Sequence, residues 1–167
     1  MLRTSVLLTL FLTALFSNQL PESFSFTGLS TAKNQTDFGS LSKIQSQKET
    51  LIGVRYGQQT LDWRTMFTLT GGEKIGEFTL EIDKILLDDL FGYPEIRPYL
   101  GGMLGYLHYD DNQLTNQDGY YYGGAFGFLF YLTDRIDLDL SYQYKKVKDI
   151  DPLNTIKGPS MSIHYFY

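Results

Sequence analysis

The sequence predicts an all-β chain of eight antiparallel strands that close into an up-and-down transmembrane β-barrel. The first observation is alternation: in residues 136–144, apolar or aromatic side chains alternate with Asp, Ser and Gln, the pattern of a strand with one apolar and one polar face. The second is composition, with 13 Tyr, 12 Phe, one Trp and no Cys. Such rings suit a β core or a membrane interface.

The N-terminal segment is the third observation, because residues 1–25 have the pattern of an export signal. Arg3 precedes an uncharged apolar run, residues 6–16, that is too short to cross a bilayer as a helix. We expect cleavage between residues 17 and 25 and a single β-barrel domain over residues 26–167. A buried N-terminal helix is the alternative. No second apolar stretch of helical transmembrane length follows, so a membrane-embedded fold would be a closed barrel.

Eight segments carry strand patterns, and the links between them differ in length. The segments are residues 24–32, 50–57, 61–70, 75–83, 96–107, 120–131, 136–144 and 157–167. Long polar loops are expected at 33–49, 108–119 and 146–156, whereas the links after the second and sixth strands are short. This asymmetry is typical of a barrel with one end outside the cell and one end in the periplasm. Residues 84–95 form a longer connection than this rule predicts and could contain one helical turn.

The export signal, the eight alternating segments, the hairpin of residues 131–144 and the final Tyr165-Phe166-Tyr167 together resemble a known family. It is the small eight-stranded outer-membrane β-barrel family, typified by OmpA transmembrane domains and OmpX-like proteins. The resemblance implies a location in the bacterial outer membrane, contact with outer-membrane lipid, and assembly by the barrel-assembly machinery. It also implies that Tyr165 and Tyr167 belong to the assembly signal, although most members end in Phe.

The same resemblance makes the polar face the lumen of the barrel. Eight strands enclose only enough room for side chains, and buried charges are tolerated when they are paired. We therefore expect a structural ionic network rather than a catalytic acid pair, and no open pore. Its predicted members are Arg55, Asp62, Arg64, Glu77, Glu81, Asp83, Arg97, Asp137 and Asp139. A soluble sheet with one solvated polar face is the alternative.

The expected function is a non-enzymatic outer-membrane role, either in envelope integrity or in binding an extracellular ligand through the loops 33–49, 108–119 and 146–156. A lipid-modifying enzyme would use His108 at the outer rim. Lipid A deacylases of this barrel size carry Ser two residues after such a His, and residue 110 is Asp. His164 is predicted to point inward. A third alternative is a soluble, lipocalin-like periplasmic barrel, in which the two faces exchange roles.

Other functional classes are not expected from the sequence. The net charge of −5 and the scattered Lys and Arg residues give no basic footprint for nucleic acid. With two His, no Cys and carboxylates on separate strands, no metal site is expected. No cofactor is expected either. The Gly101-Gly102 and Gly123-Gly124 pairs lie within strands, where relief of crowding in a narrow lumen explains them.

Overall fold

A computed structural model describes residues 23–38, 46–86, 95–110 and 117–167 of the chain. The strands are β1 Phe24–Phe38, β2 Gln47–Gln59, β3 Trp63–Gly71, β4 Ile75–Ile85, β5 Ile96–Tyr109, β6 Asp118–Thr133, β7 Ile136–Lys148 and β8 Leu153–Phe166. Consecutive strands pair antiparallel, and β1 pairs with β8 to close the barrel. The predicted fold class is therefore confirmed.

No helix among the described residues is long and apolar enough to cross a membrane.

The two ends of the barrel differ in what they carry. The terminal end carries Phe24, Tyr167, the turns at residues 60–62 and 134–135, and the link between β4 and β5. The loop end carries the links β1–β2, β3–β4, β5–β6 and β7–β8. The predicted helical turn within 84–95 falls on residues 87–94, outside the described residues. Most of the predicted export signal, residues 1–22, also lies outside them.

At the loop end the strands extend further than predicted. Residues 33–38 and 47–49 belong to β1 and β2, residues 108–109 and 118–119 to β5 and β6, and residues 146–148 and 153–156 to β7 and β8. The predicted loops are wrong in those parts, and the last one is a turn of residues 149–152. The reason is that most outward side chains in these segments are polar, so the sequence has few apolar residues there, although inward residues such as Tyr109 and Val147 are apolar and buried. Residues 39–45 and 111–116 lie outside the described residues.

The outward face of the strands forms an apolar belt around the barrel. Its exposed members include Leu29, Val54, Phe67, Leu69, Phe78, Leu100, Leu104, Phe126, Leu140 and Ile163. Toward the terminal end the belt is bordered by exposed aromatic residues, Tyr56, Trp63, Tyr165 and Tyr167. Toward the loop end it is bordered by Tyr106, Tyr120 and Tyr122 on β5 and β6, and by Lys33, Lys48, Lys146 and Lys157 on β1, β2, β7 and β8. Bands of aromatic and basic residues at the two borders of an apolar belt are typical of membrane interfaces.

Candidate functional site

The lumen at the height of the belt contains a group of buried charges that we call the ionic cluster: Arg55, Arg64, Glu81, Asp83 and Asp139. Asp139 on β7 contacts side chains of three other strands, β2, β3 and β5. Its Oδ2 lies 3.0 Å from Arg55 Nη1 and 2.9 Å from Arg64 Nη2, and its Oδ1 accepts a hydrogen bond of 2.8 Å from the Tyr99 hydroxyl. Charge-assisted bonds of this kind are stronger than neutral ones. Asp139 therefore ties opposite walls of the barrel together.

Arg64 makes the second connection in the ionic cluster. It sits directly opposite Asp83 on the neighbouring strand β4, and both Nε and Nη2 lie 2.8 Å from Asp83 Oδ2. The guanidinium also stacks 4.6 Å from the centre of the Tyr99 ring. Gly101 faces the Asp83 carboxylate, and a Cβ at that position would collide with it. The absent side chain therefore makes room for the pair.

Two more buried pairs flank the ionic cluster, and they include residues that sequence reasoning left out of the network. Lys145 Nζ lies 2.5 Å from Glu77 Oε2. His164 Nδ1 lies 2.7 Å from Asp137 Oδ1, and its ring centre is 4.7 Å from that of Phe26. Lys145 was missed because β7 was expected to end at residue 144. Continuing the alternation by one more inward position would have found it.

Two predicted network members lie toward the terminal end, away from the ionic cluster. Asp62 is in the β2–β3 turn, where its Oδ2 lies 3.0 Å from Lys84 Nζ and both side chains are about 40% exposed. Its prediction as a lumen residue is wrong, because β2 runs to Gln59 and the turn falls later than expected. Arg97 faces inward but is half-buried, with its guanidinium 5.4 Å from the centre of the Tyr131 ring.

At the loop end the lumen is filled by apolar side chains, which we call the apolar cap. Its members are Leu51, Ile75, Leu107, Tyr109, Tyr121, Val147, Ile150, Leu153 and Ile156. Between the cap and the ionic cluster, a cavity of about 10 Å³ is bounded by residues such as Arg55, Glu81 and Lys145, which is about the space of one water molecule. Buried side chains therefore occupy the lumen on both sides of this small cavity.

The loop-end rim of β5 and β6 holds a different group of polar side chains. His108 Nδ1 lies 2.8 Å from Asp118 Oδ1, and the Tyr106 hydroxyl donates to the same oxygen at 2.7 Å. All three are exposed, and Asp118 lies beyond the belt. The hydrogen bond from Tyr106, with that from His108, holds the pKa of the Asp118 carboxyl below its usual value. Asp110, two residues after His108, supplies no hydroxyl or thiol nucleophile.

The remaining predicted residues are on the expected faces. His164 points into the lumen and is buried, whereas Tyr165 and Tyr167 point outward at the terminal end. The role of these tyrosines in assembly stays a prediction. The lipocalin-like alternative required apolar side chains inside and charges outside, and at the height of the belt the structure has the opposite arrangement. Among the described residues there is no group of three His, Asp or Glu placed to hold a metal ion.

The site and the fold define a small closed barrel with a filled lumen and an apolar outer surface. No protein-family model matches the sequence, and a search of curated proteins gives no match.

Comparison with solved structures finds the same fold in small outer-membrane barrels. Neisserial surface protein A is similar over 86% of this chain and 97% of its own, with 17% identity and a TM-score of 0.66. Outer membrane protein H from Pseudomonas aeruginosa covers 86% and 99% of the two chains, with 18% identity and a TM-score of 0.60. Ail of Yersinia pestis, solved with the heparin analogue sucrose octasulfate, covers 87% and 99%, with 13% identity and a TM-score of 0.50. The resemblance to eight-stranded outer-membrane barrels is thus confirmed as a shared fold.

Proposed function

We propose that this protein is a bacterial outer-membrane barrel with a non-enzymatic role in the envelope. One observation carries the proposal: the apolar side chains form a continuous outward belt, while the charges of the same strands are buried and paired inside. In a bilayer, backbone groups are satisfied within the closed sheet and the outer surface meets lipid. In water, an exposed belt of this size would drive aggregation.

The proposed role is mechanical or adhesive rather than transport. Paired charges, the apolar cap and the small residual cavity support a rigid plug through the described lumen. We propose that the loop end faces outside and presents the links between strands to an extracellular ligand, with lipid around the belt and the barrel-assembly machinery as the partner during insertion. The structure of Ail with sucrose octasulfate is an example of a ligand bound by a barrel of this fold.

Cell fractionation tests the membrane location. The full chain, expressed in a Gram-negative host, is expected in the outer-membrane fraction and in solution only after detergent is added. A matched variant, Leu140→Asp, places a charge on the belt and is expected to reduce the amount that is inserted. Recovery of the unaltered protein from the soluble periplasm without detergent would contradict the proposal.

A lipid-modifying enzyme is the second candidate, because His108 and Asp118 form the acid–base pair that such a reaction needs. The missing nucleophile at residue 110 weighs against it. The acyl chains of outer-membrane glycolipid should be identical in cells that express the unaltered protein, His108→Ala or Asp118→Asn. A change in acylation that disappears in both variants would favour the enzyme and contradict the non-enzymatic role.

A further inference from the structure

The belt has a groove along β1. The outward side chains there are Thr27, Leu29 and Thr31. The two threonines are smaller than the residues that they pair with on β8, Tyr165 and Met161. Met161, Ile163 and Tyr165 of β8 form one wall and Val54 of β2 the other, around a volume of about 590 Å³. The lining is almost entirely apolar, so the groove suits hydrocarbon chains rather than polar ligands.

Lysines stand directly above this groove on the loop-end side. The outward residue of β1 that follows Thr31 is Lys33, and the next is Gln35, which pairs with Lys48 on β2 and with Lys157 on β8. Since neighbouring strands are about 4.8 Å apart and alternate residues of a strand about 7 Å apart, the three lysines frame the end of the groove. Lys33 and Lys48 are exposed, and Lys157 Nζ lies 2.7 Å from Asp37 Oδ2.

Among the described residues, the border of the belt has a different composition on the opposite side of the barrel, on β5 and β6. On the opposite side, Tyr106, Tyr120 and Tyr122 occupy the border of the belt, and their rings carry no charge. The chain as a whole has a net charge of −5. The lysines beside the apolar groove therefore form a locally positive patch on an acidic protein. Asp37 is paired with one of these lysines, Lys157, and competes with a ligand for it.

We propose that the groove and the lysines Lys33, Lys48 and Lys157 bind one phosphorylated glycolipid of the outer leaflet, with its acyl chains in the groove and its phosphate groups on the lysines. The inference rests on the proposed orientation, in which the loop end faces outside. The lysines span three strands, about 10 Å across, which matches a broad headgroup with several acyl chains better than a narrow phospholipid.

Binding of lipid A to the refolded full-length barrel in uncharged detergent tests the proposal. The probes are diphosphorylated lipid A, dephosphorylated lipid A and phosphatidylglycerol, with the bound lipid counted by native mass spectrometry. Replacing the three lysines (K33Q, K48Q and K157Q together) should weaken lipid A binding roughly 100-fold, about fivefold for each cation near the membrane surface. The terminal-end control, K84Q with R135Q, should change it less than twofold.

The groove is tested separately by Thr31→Trp, which fills it and leaves the lysines in place. This variant should also weaken lipid A binding, whereas Gly102→Trp, on an open part of the opposite outer surface, should not. If the triple variant misfolds, K33Q alone should still show about a fivefold loss. Equal binding of dephosphorylated lipid A, preference for phosphatidylglycerol, or a dimer lost in Thr31→Trp would each overturn the proposal. Fractionation of the same variants reports separately on the membrane location.

Discussion

Two regions of one lumen, the ionic cluster and the apolar cap, are built from side chains of the same inward parity but opposite chemistry. The ionic cluster lies behind the belt, where residues on either side of Asp139 point outward as Leu138 and Leu140. The apolar cap lies at and beyond the belt's loop-end border, where the outward neighbours include lysines, such as Lys146 and Lys148 beside Val147. The chemistry of the two faces therefore changes along the strands. Behind the belt the inward side chains are charged and the outward ones apolar, as in a membrane barrel, whereas at the loop end the inward side chains are apolar, as in a soluble barrel.

This difference explains how the buried charges of the lumen are stabilised. The cap covers the loop-end side of the ionic cluster with apolar side chains, and in a poorly hydrated interior each pair interacts strongly but a lone charge is costly. Charges in the cluster should therefore act as a unit, whereas cap residues should act through packed volume.

The largest effect is expected from Arg64→Met. The change removes a partner of both Asp83 and Asp139. Asp139 keeps Arg55, but the buried Asp83 carboxylate loses the guanidinium paired with it. Loss of one partner of a buried pair costs about 3–5 kcal/mol. Denaturant titration in lipid vesicles measures the loss, and adding Asp83→Leu to the variant should recover part of it. A cost below about 1 kcal/mol would mean that the cluster is hydrated and weak.

In the cap, Leu107→Ala should cost about 2–5 kcal/mol through lost packing and the cavity that remains. Leu107 is fully buried. Because the cap contains no formal charge, the cost should not depend on salt concentration. Leu104→Ala on the exposed belt serves as the control and should cost less. Equal costs at the two positions would contradict a packed cap.

Gly101 and Gly102 offer a smaller and sharper comparison between adjacent residues. A Cβ at Gly101 would meet the Asp83 carboxylate, whereas a Cβ at Gly102 meets no atom within 4 Å. Gly101→Ala should therefore destabilise the barrel by about 1–3 kcal/mol, the usual range for overpacking. Gly102→Ala should be close to neutral or slightly stabilising, as removal of a strand glycine allows. Equal effects would show that Asp83 is not held beside Gly101.

The smallest effect is expected from Glu81→Gln. Two guanidinium groups face three carboxyl groups in the ionic cluster, and the ion pairs of both guanidinium groups are made with Asp83 and Asp139. Replacement by an amide of nearly the same shape should change the free energy of unfolding by less than about 1 kcal/mol. A loss as large as that of Arg64→Met would show that Glu81 is an essential partner rather than the surplus acid.

The sequence was sufficient for the fold because alternation assigns each side chain to a face, and a closed barrel is the arrangement that satisfies eight such strands. It could not assign partners within the lumen. Arg55 and Asp139 are 84 residues apart, and their contact depends on the register of every strand pair around the barrel. Part of the apolar cap was missed because polar outward residues made the segments around Tyr109, Val147 and Leu153 resemble loops. Asp62 was assigned to the lumen because the β2–β3 turn was expected a few residues earlier in the chain than the structure has it.

The central claim is that Leu138 faces lipid while its neighbour Asp139 holds the ionic cluster together. Unfolding of Leu138→Arg and Asp139→Leu, titrated side by side in lipid vesicles, tests it most directly. The charge on the belt should cost about 2–4 kcal/mol, and loss of Asp139 should cost about 3–5 kcal/mol because Arg55 is left buried without its carboxylate. A tolerated Leu138→Arg together with a neutral Asp139→Leu would contradict both the assignment of the faces and the membrane barrel inferred from it.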